Sequence, residues 1–285
     1  MQDLINTRQE INNKRSMRDF FGVDASRIKH KKLFLLDMDG TIYLDNNLID
    51  GALDFLSAIK RGGGQYVFIT NNSSKSVNDY INKVNRLGIS AGKENFLTST
   101  QASAQLLLEK YGYKPIYAQG TSSFIQELKD FGLNVTTDFC AEACAILVGF
   151  DLELTTKKLN LTAEMLTKTD AVFYATNPDW VCPVDFGFVP DCGSMCFGLT
   201  KATGKEPIFI GKPQPRMIEL AMKNFGADRD QVLVVGDRVY TDIKSGINAG
   251  VDTALVLSGE TTLDVLQKSA DKPSFVFNSV KDMIF

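Results

Sequence analysis

The 285 residues include a single histidine, His30, in the basic cluster KHKK. A mechanism that needs a histidine base beside a serine or cysteine nucleophile is therefore close to excluded. Cysteine is sparse as well: five, at 140, 144, 182, 192 and 196, an odd number scattered over a long chain. That pattern speaks against a disulfide framework and for reduced thiols. Cys140/Cys144 and Cys192/Cys196 share a C-x3-C spacing, but the C-x2-C of zinc knuckles is missing and Cys144 opens the apolar run CAILVGF. Buried small hydrophobes are a better reading of these thiols than structural zinc.

An excess of basic charge is also lacking. With 31 Lys and Arg against 34 Asp and Glu, the net charge is −3, so no broad electrostatic footprint invites nucleic acid. The N-terminal stretch has no continuous apolar segment, and no later run is long enough to cross a bilayer. The expectation is a cytoplasmic protein with no membrane partner.

What is present is an ordinary globular composition, 44% hydrophobic and 23% charged, with room for two domains or one domain carrying a large insert. Strand-like and helix-like segments alternate, which predicts βα units and a doubly wound, largely parallel α/β sheet. LFLLD (33–37), YVFIT (66–70), PIFIG (207–211), QVLVVGD (231–237) and TALVLSG (253–259) read as strands. Asp50 is expected to cap a helix over GALDFLSAIKR that the glycines at 62–64 end, and Asn72 or Ser73 to cap one that stops at Gly88. Between about 93 and 205 the pattern restarts with PIYA, AILVGF and DAVFYAT. The expectation is a core over 31–92 and 206–285, an inserted α/β cap over 93–205, and a polar N-terminal extension over 1–30.

LFLLDMDGTIYLDN raises the central question, because it drives acidic residues against the end of a buried strand, where an unpaired charge is expensive. A calcium loop starting at Asp37 would need glycine at its sixth place and glutamate at its twelfth; Ile42 and Leu48 stand there, so that reading fails. In open α/β sheets, ligands bind beyond the carboxyl ends of the strands. Those ends here carry Asp37, Thr70 with Asn71, Lys212 and Asp237. Hard carboxylate oxygens suit magnesium, and hydrogen-bond donors with an ammonium suit a phosphoryl group. Asp45 reads as a turn residue.

DMDGT (37–41), TNNS (70–73), GKP (211–213) and GDRVYTD (236–242), in this order, resemble the four signature motifs of the haloacid dehalogenase superfamily of phosphatases. TNNS with GKP and a large insert between them resemble its NagD-like, p-nitrophenyl-phosphatase-like branch, over roughly residues 31 to 268. The resemblance implies that Asp37 is a nucleophile forming an aspartyl-phosphate and that Asp39 is its acid/base partner. It implies a magnesium ion held by Asp37, the Asp39 carbonyl and Asp237, with Asp242 a partner of the metal that acts through water or through one of the other ligands. It further implies that Thr70, Asn71 and Lys212 bind the phosphoryl group, and that Asn177 and Asp179 of the TNPD stretch approach the leaving group. Relatives often carry glycine where this chain has Asp191, so an extra carboxylate near the entrance is expected.

The implied activity is hydrolysis of small phosphate monoesters such as sugar phosphates, nucleoside monophosphates and p-nitrophenyl phosphate. The implied assembly is a homodimer through the cap. Asp39 is the residue that dehalogenases lack, and about thirty residues between Asp39 and Thr70 leave no room for the cap that sugar mutases insert there. A non-catalytic binding protein and a phosphotransferase or mutase stay open as alternatives. Segment 175–195, a polar and aromatic stretch, is expected to be a loop that selects the substrate.

Overall fold

The computed structural model describes residues 17–184 and 186–285. In chain order, β1 (Leu33–Leu36) precedes the short pair β2 (Tyr43–Leu44) and β3 (Asn47–Leu48), then α1 (Ala52–Arg61) and β4 (Gln65–Thr70). Next come α2 (Val77–Arg86), β5 (Phe96–Thr98), α3 (Ser99–Tyr111), β6 (Ile116–Gln119), α4 (Ser122–Asp130) and β7 (Val135–Thr136). They are followed by β8 (Ala145–Val148), α5 (Thr156–Lys168), β9 (Val172–Ala175), β10 (Val181–Val184), β11 (Gly187–Pro190) and α6 (Cys192–Thr203). The chain closes with β12 (Ile208–Phe209), α7 (Arg216–Phe225), β13 (Val232–Gly236), α8 (Lys244–Ala249), β14 (Asp252–Val256), α9 (Leu263–Lys268) and β15 (Phe275–Phe277). These elements gather into two compact units, one of residues up to 66 with 225–285, the other of 67–224.

In the first unit, parallel strands run in the order β15-β14-β13-β1. LFLL and VLVVG are buried at every position, as a parallel sheet covered on both faces requires. Val239, Ile243, Leu255, Leu266 and Val276 form one of its apolar clusters. Leu36 stands opposite Val235, so Asp37 and Asp237 leave the sheet at the same edge. Asp45, at φ 52°, occupies the tight turn between β2 and β3, a backbone state that Asp tolerates better than most residues.

The N-terminal extension expected over 1–30 lies outside the described residues as far as 16. Beyond that it covers the outer edge of β15: the Phe20 N–H donates to Val276 O at 2.7 Å and the Val276 N–H to Asp19 Oδ2 at 3.1 Å. Arg27 grips Asp252 through two hydrogen bonds of 3.0 and 2.7 Å and lies 4.7 Å over the Phe275 ring. Lys31 pairs with the same carboxylate at 2.7 Å. A bare sheet edge invites pairing with other chains, and this segment blocks it.

Two helix starts differ from expectation. Asp50 does not cap α1, whose N-cap is Gly51 at φ 79°; Asp50 instead meets Lys281 at 2.6 Å. α2 begins after Ser76, because Ser76 and Asp79 form a reciprocal capping box, while Asn72 spends its oxygen on Ser74 N and Oγ in a local turn.

In the second unit β4 pairs with β5 in parallel, and a five-stranded parallel sheet has the order β12-β9-β8-β6-β7. Tyr117, Ile146, Val148, Phe150, Met165 and Phe173 pack with Cys192 and Cys196 in its core. α5 packs beside α6. PIFIG, read with the core strands, pairs through Ile208 and Phe209 with β9. Thus β5 bonds across the expected 92/93 limit, and β12 across 205/206. Segment 175–195 is not a plain loop: β10 and β11 form an antiparallel hairpin with Trp180, Phe186 and Phe188 exposed.

Candidate active site

The site residues named from sequence fall into two sets, one in each unit. In the first, the Asp37 N–H bonds Val235 O at 2.8 Å and prolongs β1 by one residue. The chain then turns tightly, Met38 O accepting the N–H groups of Thr41 and Ile42 at 3.2 and 2.8 Å. Asp37 is left half-buried and Asp39 exposed.

Asp237, 2% exposed, follows β13, and Asp242, 1% exposed, sits in the wide helical turn 239–243 that feeds α8. The Arg238 N–H holds Asp242 Oδ2 at 3.1 Å, and the Glu260 N–H holds Asp237 Oδ2 at 2.7 Å. One carboxylate oxygen each from Asp37, Asp237 and Asp242 lies within 4.8 Å of the others. Two unit charges about 4 Å apart repel by about 1 kcal/mol in water and about 4 kcal/mol near a protein surface, so positive charge nearby would stabilise the ionised trio.

Glycine makes that closeness feasible. A Cβ on Gly259 would fall 2.0 Å, and one on Gly40 2.5 Å, from Asp237 Oδ2, and one on Gly236 would fall 2.4 Å from Asp242. The donor set is entirely oxygen, as hard divalent ions prefer. The same negative field reaches Arg238: burial pulls its pKa down, but Tyr240, Glu260, Asp37 and Asp237 outweigh this and hold it above the ordinary arginine value. Its Nε meets Glu260 Oε2 at 2.8 Å.

The second set converges on Asn71. Its Nδ2 donates to Lys212 O and to Asp179 Oδ2, each at 2.8 Å, and its Oδ1 accepts the Lys212 N–H at 2.8 Å. Both amide hydrogens and the amide oxygen are thus engaged within the protein. Lys212 is 2% exposed, and its Nζ donates to Ile69 O at 3.2 Å. Gly211 lets the turn close, since a Cβ there would meet Asn71 Oδ1 and Thr176 O, each at 2.5 Å. Thr70 Oγ1 accepts the Asn72 N–H at 3.2 Å, and a hydroxyl that accepts still has its own hydrogen to give.

Asn177, fully buried, donates from Nδ2 to Asp179 Oδ2 at 2.8 Å and to Asp191 Oδ1 at 3.1 Å. Asp191 is not an extra carboxylate at an entrance. It is 5% exposed and caps α6 by accepting the Cys192 N–H. Ser73 completes the set, bonding Thr176 Oγ1 at 3.0 Å and accepting the Phe150 N–H at 2.8 Å.

Sequence reasoning passed over Arg238, Gly259, Glu260 and Thr176. Gly259 and Glu260 follow β14 at the same carboxyl edge as Asp37 and Asp237, and that position was the signal that could have found them.

Set beside known proteins, the chain matches the haloacid dehalogenase-like hydrolase family over residues 34–134 and a second family, described as "HAD-hyrolase-like", over 209–283. It is 34% identical to the acid sugar phosphatase of Staphylococcus saprophyticus over 257 residues, 90% of this chain and 98% of that one. The 4-nitrophenylphosphatase of Thermotoga maritima superposes with TM-score 0.85 at 35% identity, covering 90% of this chain and 98% of its own. NagD from E. coli K-12 does so with TM-score 0.80 at 32% identity, over 88% and 97%. No helix among the described residues is long and apolar enough to cross a membrane. With relatives this similar along nearly their whole length, the chain belongs to the haloacid dehalogenase-like hydrolases and is a phosphatase of their NagD-like branch.

Proposed function

We propose that the protein is a magnesium-dependent phosphatase that hydrolyses small phosphate monoesters, among them sugar phosphates, nucleoside monophosphates and p-nitrophenyl phosphate, through an aspartyl-phosphate on Asp37. The observation that carries this reading is the gathering of the Asp37, Asp237 and Asp242 carboxylate oxygens within 4.8 Å at the end of a parallel sheet. The names of the similar acid sugar phosphatase and 4-nitrophenylphosphatase support the substrate class.

Asp37, Asp237 and Asp242, with the Asp39 carbonyl, would hold the magnesium. When bound, the ion supplies the positive charge without which a carboxylate and a phosphate dianion repel each other. A carboxylate oxygen of Asp37 attacks phosphorus in line, the bond from phosphorus to the ester oxygen breaks, and Asp39 gives that oxygen a proton. Asp39 then takes a proton from water as the water oxygen attacks the acyl-phosphate phosphorus, which frees phosphate and regenerates Asp37. Such acid/base help is worth about 10² to 10⁴ in rate. The exposure of Asp39 suits a group that must meet both leaving group and water.

Thr70 and the Asn71 peptide N–H bind phosphoryl oxygens, and the Lys212 ammonium offsets their charge. Residues 31–92 and 206–285 carry the chemistry and 93–205 select the ester, with β5 and β12 shared across those limits. Exposed Trp180, Phe186, Phe188 and Phe197 give the inserted segment apolar surface for a homodimer. The setting is the cytoplasm.

The test is phosphate release from p-nitrophenyl phosphate and a panel of sugar and nucleoside phosphates, with magnesium and with EDTA. Turnover that needs magnesium and vanishes in Asp37→Asn is expected; full activity in that variant would overturn the reading.

A further inference from the structure

Asn177 and Asp179 were singled out from sequence as groups that touch the leaving part of the substrate, yet they lie 0% and 6% exposed inside the protein. They belong to an unbroken buried chain of hydrogen bonds. Asp191 Oδ1 accepts from Asn177 Nδ2, Asn177 Nδ2 also donates to Asp179 Oδ2, the same Asp179 oxygen accepts from Asn71 Nδ2, and Asn71 brackets the Lys212 peptide. One end of this chain is the N-cap of α6, where the β10–β11 hairpin returns. The other end is the peptide of the lysine proposed to neutralise phosphate.

Two carboxylates out of water are costly to keep, and the second is underused. Asp179 Oδ1 is buried with no hydrogen-bond partner, while its other oxygen serves two amides. An apolar residue would fill such a place at less cost if only packing were at stake. What the carboxylate does that an apolar group could not is fix the orientation of the Asn71 amide. It takes one Nδ2 hydrogen, so that the other hydrogen and Oδ1 face the Lys212 carbonyl and N–H. Trp180, next in the chain, presents its carbonyl to the Asp191 N–H at 3.0 Å, so the hairpin entry is bonded to the residue at which the relay ends.

We propose that Asp179 and Asn177 are positioning residues which couple the β10–β11 hairpin to Lys212 through Asn71, so that phosphate held by Lys212 is felt at Trp180, and displacement of the hairpin shifts the lysine. This rests on Lys212 being the phosphate-binding cation. Contiguous hydrogen bonds of this kind are one physical route by which two groups can be coupled.

Trp180 is the chain's one tryptophan and reports the coupling directly. Inorganic phosphate with magnesium is titrated into the wild type, Asp179→Ala and Asp179→Asn while Trp180 emission is followed. Inhibition of p-nitrophenyl phosphate turnover is measured alongside. In the wild type, emission responds with the same midpoint as the inhibition. Asp179→Ala loses the response and about two orders of magnitude in kcat/KM, the scale expected when a charged group is slightly misplaced. Asp179→Asn, which keeps an acceptor for both amides, recovers most of each. A wild type without an emission response, or an Asp179→Ala variant that retains both response and inhibition and changes only in melting temperature, overturns the proposal. Should Asp179→Ala yield no soluble protein, Asn177→Ala is read the same way, and an undiminished response there overturns it equally. Because the emission titration needs no turnover, a wild type that responds to phosphate but hydrolyses nothing contradicts the phosphatase reading while supporting the relay.

Discussion

The side chain of Asn71 brackets the peptide of Lys212, its Nδ2 donating to the lysine carbonyl and its Oδ1 accepting the lysine N–H, both at 2.8 Å. Two residues 141 positions apart are thereby locked in register, one after β4 and the other after β12. Asn71→Ala removes both bonds and leaves a buried N–H and C=O to find new partners, which costs about 1–3 kcal/mol for each group left unsatisfied. The expected outcome is a drop in kcat/KM on p-nitrophenyl phosphate of about a hundredfold, with magnesium dependence unchanged. Steady-state kinetics over a range of magnesium concentrations checks it.

Gly259 tests the metal cradle from the opposite side. A Cβ there would stand 2.0 Å from Asp237 Oδ2, so Gly259→Ala must push that carboxylate away. Magnesium affinity is expected to fall about 10- to 100-fold, the range seen when groups that orient metal ligands are altered. Turnover should return at high magnesium, and a titration of activity against magnesium measures both.

Glu127 sets a pH dependence of stability. Burial, reinforced by Asp79 and Asp130 against the Val77 N–H, raises its pKa to about 7, and its Oε2 is buried with no hydrogen-bond partner. A folded-state pKa raised above the unfolded value means that the stabilisation is complete below about pH 4.5 and is lost as pH rises through about 7, a swing of roughly 3 kcal/mol. Glu127→Gln should be more stable than the wild type at pH 8 and indistinguishable from it at pH 4.5. Thermal denaturation at the two pH values decides.

Asp19 anchors the N-terminal segment by accepting the N–H groups of Phe21, Val23 and Val276. Asp19→Ala is expected to cost about 2 kcal/mol and to lower the melting temperature by several degrees. The kcat of the protein that remains folded should be unchanged, because the segment lies on β15 and not on the Asp37 cluster. Denaturation with parallel assays distinguishes an anchor from an active-site contribution.

Much of the fold was legible where one interaction decides. LFLL, VFI, VLVVG and AILV are apolar throughout, and a strand buried on both faces has few other readings. That acids at 37 and 237 follow such strands was legible for the same reason, and their convergence on one edge follows from Leu36 pairing with Val235. What stayed hidden depends on competition among near neighbours. Asp50 loses the α1 cap to Gly51 because Lys281, 231 residues away, takes its carboxylate. Asn72 and Ser76 are both good caps, and the partner at Asp79 decides for Ser76. The β10–β11 hairpin escaped because VCPV and GFVP carry a proline each, which demotes a strand reading. The roles of Asn177, Asp179 and Asp191 depend on which amide faces which oxygen, and no spacing along the chain encodes that.

The central claim is that Asp37 becomes covalently phosphorylated. The direct measurement is mass spectrometry of the protein quenched in acid during turnover of p-nitrophenyl phosphate, using Asp39→Asn to slow the second step. The account predicts one added phosphoryl group on the peptide containing Asp37, absent from Asp37→Asn and absent without magnesium. Steady turnover in the wild type with no phosphoryl group on Asp37 under any quench would contradict it.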